Sequence, residues 1–121
     1  MKYLLFFFLI LLLIFHLGSV RFFDEVLVPG QELDILVNVV NYDTKDLENV
    51  KVTIFIPEMS LFFRTTSFDV EDRDIIGKVV FEDIPKDVNP GDYLVKVSID
   101  YYDENTKKDR KESVYRYITI V

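Results

Sequence analysis

The chain contains no cysteine and no tryptophan, and only one histidine, four glycines and four prolines among 121 residues. Without cysteine there are no disulfides, no thiolate nucleophile and no sulfur-ligated metal. That absence leaves the compartment open, because a body of about 100 residues, more than two-fifths of them hydrophobic, can build a core without staples. The single histidine, His16, precedes residue 24, so the body has neither His nor Cys to activate a nucleophile. A zinc site in the body would have to be made of carboxylates alone. Four glycines form no phosphate-cradling loop, and none of Asn38, Asn41, Asn49, Asn89 or Asn105 begins a glycosylation sequon. No enzymatic activity and no cofactor are expected.

Acidic residues are missing from the first 23 positions, and all 21 Asp and Glu lie from Asp24 onward. Of 14 Lys and Arg, two (Lys2 and Arg21) precede that point, so the body carries 12 − 21 = −9. Phosphate neutralisation needs clustered Lys and Arg, and a body this acidic argues against nucleic acid as a partner.

What is present begins with an unbroken apolar run over residues 3–15, behind Lys2 and the amino terminus. A positive n-region followed by about 13 apolar residues has the proportions of a signal peptide. Gly18 and Ser19 offer small residues for cleavage, although Leu17 or His16 fits the A-x-A pattern poorly. If uncut, residues 3–23 supply 21 positions, enough for one crossing of a roughly 30 Å hydrocarbon layer. Both readings put the body outside the cytoplasm, with residues 1–23 as signal peptide or signal anchor and 24–121 as the folded domain. His16 is read as a tolerated interfacial residue, since no second ligand stands near it in sequence.

From Phe22 onward the hydrophobic period is two. Leu33, Ile35, Val37 and Val39 alternate with Asp34, Leu36, Asn38 and Val40; Val50, Val52, Ile54 and Ile56 follow the same rule. Tyr93, Val95, Val97, Ile99 and Tyr101 make a third clear run, and residues 75–81 and 114–121 make weaker ones. Each run turns one apolar face to a core and a more polar face to water, as antiparallel sheets do. Pro29-Gly30, the polar stretch 41–46, Pro57, Pro85, Asn89-Pro90-Gly91 and the charged stretch 103–109 punctuate them. The pattern predicts an all-β, seven-stranded, immunoglobulin-like antiparallel β-sandwich, preceded by one N-terminal hydrophobic helix. Tyr93 starts a strand two residues after a Pro-Gly turn, the position of a tyrosine corner or of an ordinary core tyrosine.

Three surface features are candidates for function. The acidic cluster Asp69, Glu71, Asp72 and Asp74 offers the hard oxygen ligands that Ca²⁺ takes, but it lacks EF-hand spacing and the turn glycine. A solvated loop without metal is expected there. Lys107, Lys108, Arg110 and Lys111 form a basic hairpin tip that keeps the hairpin soluble. Leu61, Phe62 and Phe63 are three large apolar residues in succession, and alternation forbids all three from sharing one face. Phe62 is the expected outward residue and the candidate docking point for a partner chain or a membrane surface.

The segments 28–41 (VPGQELDILVNVVN), 47–57 (LENVKVTIFIP), 81–85 (FEDIP) and 90–97 (PGDYLVKV) occur in an order and spacing that resemble the CARDB-type and related Ig-like domains of archaeal and bacterial surface proteins, S-layer-associated ones included. The resemblance covers roughly residues 26–121. It implies a seven-stranded sandwich with a structural, adhesion or assembly role at the cell surface, and no catalytic residues. Its partners would be a cell-surface protein or further copies of the chain, and the membrane through residues 3–23. The alternatives are a soluble ligand-binding or inhibitory module, and a membrane-anchored sandwich subunit of a surface machine such as the stator of an archaeal swimming filament.

Overall fold

The computed structural model describes residues 15–121. Nine strands follow one another among them: β1 (Leu17–Phe22), β2 (Val26–Leu27), β3 (Glu32–Val40), β4 (Leu47–Ile56), β5 (Leu61–Arg64), β6 (Phe68–Val70), β7 (Ile75–Asp83), β8 (Gly91–Asp103) and β9 (Lys108–Ile120). They form one sheet of three strands in the order β1-β3-β7 and one of six, β2-β9-β8-β4-β5, with β6 also paired to β4. The two sheets face one another across an apolar core.

The core is the alternating pattern made solid. Leu33, Ile35, Val37 and Val39 of β3 are buried opposite Val50, Val52, Ile54 and Ile56 of β4 and Val95, Val97, Ile99 and Tyr101 of β8. β-Branched side chains dominate because they pack well on a pleated surface. Leu47 breaks the alternation and is buried as well. The cause is a bulge: the register of β4 against β8 shifts between Glu48 and Lys51, and Asn49 sits there at φ 53°. Asparagine tolerates this left-handed conformation, and the extra residue turns both Leu47 and Val50 inward.

The turns follow their residue chemistry. Gln31 N–H donates to the Val28 carbonyl at 3.1 Å across Pro29-Gly30, and Gly30 has φ 85°. Proline at the second position and a positive-φ glycine at the third make a type II turn. A short 3-10 turn at Pro57–Met59 ends β4, and Ser60 in the left-handed region delivers the chain into β5. The Tyr93 hydroxyl donates to the Asn89 carbonyl at 2.7 Å, which is the tyrosine-corner arrangement.

Several expectations need correction. The described residues hold nine strands rather than seven, split three and six, and β2 runs parallel to β9 in an otherwise antiparallel pair of sheets. Residues 17–22, assigned by hydropathy to the N-terminal segment, form β1, whose Val20 and Phe22 pair with Val37 and Ile35 of β3 and pack on the core. β1 escaped the sequence reading because Gly18, Ser19 and Arg21 dilute its alternation and an apolar run abuts it. The sheet therefore takes in residues on the N-terminal side of Asp24. Of the N-terminal helix expected within residues 1–23, residues 17–22 are strand instead, and residues 1–14 lie outside the described residues. No helix among the described residues is long and apolar enough to cross a membrane.

Candidate functional site

The three-stranded sheet ends on β7, which pairs with β3 over its whole length and, among the described residues, has no neighbour on its other side. A nine-residue strand thus presents a row of unpaired backbone N–H and C=O groups. Alternation turns Val80 into the core and Ile75, Val79 and Phe81 outward, where they are 61%, 54% and 59% exposed. Their cross-strand neighbours on β3 are Val40, Leu36 and Asp34. Phe23 is also exposed, with the Arg21 guanidinium 5.6 Å from its ring centroid. The result is an apolar sheet face running to an open edge. Lys78 points the other way, half-buried, its ammonium 4.6 Å from the centroid of the Phe68 ring.

One end of this face is acidic. Asp34 beside Glu32, able to share the proton of a neutral Glu32, is the main reason that the Glu32 carboxyl is held above its ordinary pKa, with partial desolvation and the charges of Asp34 and Asp83 adding to it. Oδ1 of Asp34 is buried without a hydrogen-bond partner.

A second polar group lies at the far end of the sandwich. His16 is 2% exposed and is held from several sides. Its backbone N–H donates to Glu112 Oε1 at 2.8 Å, its carbonyl accepts from Val40 N–H at 2.8 Å, and its Nδ1 lies 2.9 Å from the Val40 carbonyl. The ring meets Tyr101 edge-on at 5.3 Å, and Nε2 lies 3.3 Å from Asp43 Oδ2. The Tyr101 hydroxyl donates to Glu112 Oε2. Burial, and then that carboxylate, hold the phenol far above its ordinary pKa. His16 is thus part of the fold rather than an interfacial bystander, and carboxylates from the β3–β4 loop and the end of β8 stand beside it.

No family model matches the chain, and neither does any curated protein. Solved structures do match in fold. A family 123 glycoside hydrolase from Clostridium perfringens aligns with TM-score 0.60 at 13% identity, over 81% of this chain and 22% of the hydrolase. The sporulation control protein Spo0M of Bacillus subtilis aligns with TM-score 0.52 at 14% identity, over 84% of this chain and 47% of that one. The chain thus spans less than half of either protein. A CARDB domain from Pyrococcus furiosus, solved in complex with di-metal ions, aligns with TM-score 0.55 at 15% identity over 84% of both chains. The fold is CARDB-like.

Within this CARDB-like sandwich the candidate residues from the sequence fall as follows. Phe62 of β5 pairs with Phe55 of β4 and points outward, 56% exposed, while Leu61 and Phe63 pack against the core. Alternation against β4 decides this. The Phe62 ring lies edge-on to Phe55 at 6.3 Å, under the Arg64 guanidinium at 5.4 Å. It belongs to the six-stranded sheet, so it lies on the opposite sheet from the apolar face of β7. Asp69, Glu71, Asp72 and Asp74 do not converge on one point. Asp69 Oδ1 accepts from Asn49 N–H and Asp74 Oδ1 from Ile75 N–H, which are turn-capping roles. The basic tip is interleaved with acids: Lys111 lies opposite Asp100 and Lys108 opposite Asp103 in the β8–β9 register.

Proposed function

We propose that the chain is a non-enzymatic extracytoplasmic assembly module that joins to a second copy of itself through β7. The carrying observation is the free nine-residue β7 edge with Ile75, Val79 and Phe81 exposed beside it. Long apolar edge strands are templates for pairing, and soluble sandwiches ordinarily blunt or cover them. Main-chain hydrogen bonds would supply affinity there, and alternate side chains specificity.

Self-complementarity favours a second copy. An antiparallel pairing of two β7 strands about a two-fold axis at Val80 sets Lys78 opposite Glu82 twice on the inner face. The same register sets Val79 opposite Phe81 twice on the outer face. Centring on Val79 instead would leave Lys78 opposite Val80. The interface is isologous, as in most closed dimers, and joins two three-stranded sheets into one of six.

Export rests on the apolar segment ahead of β1. Attachment to a surface layer is the finer form of the proposal, supported by the motif order of residues 26–121.

Sedimentation velocity of the full chain in detergent, with and without charge exchange, tests the pairing. Lys78→Glu alone should yield monomer, and Lys78→Glu with Glu82→Lys should restore the dimer. A monomer at all concentrations, or a dimer indifferent to both variants, overturns the proposal. A second reading, docking of a different protein at Phe62, is favoured by the aromatic row Phe62, Phe55 and Tyr115 around Lys96. It predicts association lost by Phe62→Ser and untouched by the charge exchange.

A further inference from the structure

His16, Asp43 and Asp103 come from three distant parts of the chain: the residue before β1, the β3–β4 loop and the last residue of β8. One ligating atom from each lies within 4.8 Å of the others, the sole such grouping of three among the described residues. Asp103 is buried, and His16 is almost completely so.

The protonation of the imidazole follows from its contacts. Nδ1 lies 2.9 Å from the Val40 carbonyl, which can only accept, so Nδ1 carries a hydrogen. In the neutral ring Nε2 is then a bare lone pair. The polar atom facing it is Asp43 Oδ2 at 3.3 Å, an acceptor when ionised. A buried nitrogen lone pair aimed at a carboxylate lone pair has no hydrogen between them, and either a second proton on the ring or a bound metal ion satisfies it. Backbone carbonyls that fix the distal nitrogen are the usual support of metal-bound histidines.

We propose that Nε2 of His16 and the carboxylates of Asp43 and Asp103 form a binding site for a borderline divalent transition-metal ion of the Zn²⁺ type. A tetrahedral Zn²⁺ with bonds of about 2.0–2.2 Å sets neighbouring ligand atoms ~3.4 Å apart. The 3.3 Å separation of Nε2 and Asp43 Oδ2 matches that edge. Imidazole with two carboxylates suits such ions, whereas Ca²⁺ takes all-oxygen sets. Asp103 Oδ1 accepts from Asn105 N–H at 2.9 Å, and Oδ2 is ion-paired with Arg110 at 3.7 Å, beyond hydrogen-bond reach, so a metal ion would compete there with a loosely held, 40% exposed guanidinium. The His16 backbone, held by Glu112 and Val40, needs no reorganisation on binding. The ion would clamp the start of β1, at the margin of the three-stranded sheet, to the end of β8 in the other. This site is independent of the β7 edge, and its test reads neither dimer formation nor location.

The probe is ZnCl₂, titrated calorimetrically into the full chain in detergent and followed in parallel by thermal unfolding. The expected results are one saturable Zn²⁺ per chain, a Tm higher by several degrees, reversal by chelator and no competition from millimolar Ca²⁺. Asp43→Asn should weaken binding at least tenfold while leaving the metal-free Tm close to that of the parent, because the Asp43 side chain is 33% exposed. His16→Gln should weaken binding as much. Absence of saturable binding overturns the proposal, as does binding that neither variant weakens. A metal-free Tm that climbs on acidification, with no response to Zn²⁺, would instead assign the group as a protonated histidine latch and overturn it too.

Discussion

Replacing Val97 by aspartate places a carboxyl at the centre of the core. Val97 is fully buried between Ile54 of β4 and Val114 of β9, with no polar group opposite it in either register. Losing the side chain costs about 1.5–3 kcal/mol of transfer free energy. The new carboxyl must also be neutral when buried. A pKa raised by roughly 3–5 units at about 1.36 kcal/mol each adds ~4–7 kcal/mol at neutral pH. The sum of ~6–10 kcal/mol equals or exceeds most of the roughly 5–15 kcal/mol that holds such a domain together, so Val97→Asp should not fold at pH 7. The sign follows from the raised folded-state pKa: the penalty is full above that pKa and shrinks as pH falls toward the unfolded value. Val37→Asp is the informative contrast. Val37 is equally buried, yet Lys78 stands directly opposite it on the same face of β7. An ammonium within reach of the new carboxylate should recover part of the loss, and adding Lys78→Met should remove that recovery. Lys96→Asp, on the outer face, should cost under about 1 kcal/mol. Urea titration followed by far-ultraviolet circular dichroism reads all four variants. Val97→Asp within about 1 kcal/mol of the parent, or Lys96→Asp costing more than it, would refute the register, since a one-residue slip exchanges the two faces.

Two further outcomes follow from local contacts. Tyr93→Phe removes the 2.7 Å bond to the Asn89 carbonyl and should cost about 0.5–1.5 kcal/mol by urea titration, whereas no change would show that the corner is ornamental. Glu32→Gln should raise the Tm at pH 7, because the folded carboxyl titrates above its ordinary 4.5 through Asp34 beside it and so opposes folding once ionised; the gain should vanish at lower pH, and a variant less stable at pH 7 contradicts this.

Much of the fold was legible because alternation is a local signal. The inward faces of β3, of β4 from Val50 onward and of β8 read correctly, although Thr53 and Ser98, read as facing water, are buried as well; so did Phe62, whose direction depends only on neighbours in β5. Leu47 was missed because its burial depends on the bulge at Asn49, a backbone event marked by one residue. The count of strands failed where strands are short: β2 and β6 have two and three residues, too few to show a period. The β7 edge could not be read at all. Residues 75–81 announce a strand, but whether a strand is flanked on one side or two is a property of sheet order. The group around His16 was hidden for the same reason, because Asp43 and Asp103 lie 27 and 87 positions away along the chain. The composition of the acidic stretch 69–74 suggested ligands, yet two of its carboxylates, Asp69 and Asp74, cap backbone N–H groups.

The central claim is that the free edge of β7 pairs with β7 of a second copy. Amide hydrogen exchange of the full chain, read by mass spectrometry across a hundredfold range of concentration, tests it most directly. The account predicts that amides within Ile75–Asp83 gain protection as concentration rises, while the β5 edge over Leu61–Arg64 does not change. It further predicts that Lys78→Glu abolishes the gain and that adding Glu82→Lys restores it. Exchange in β7 that is independent of concentration, or protection that appears in β5 instead, would contradict the account.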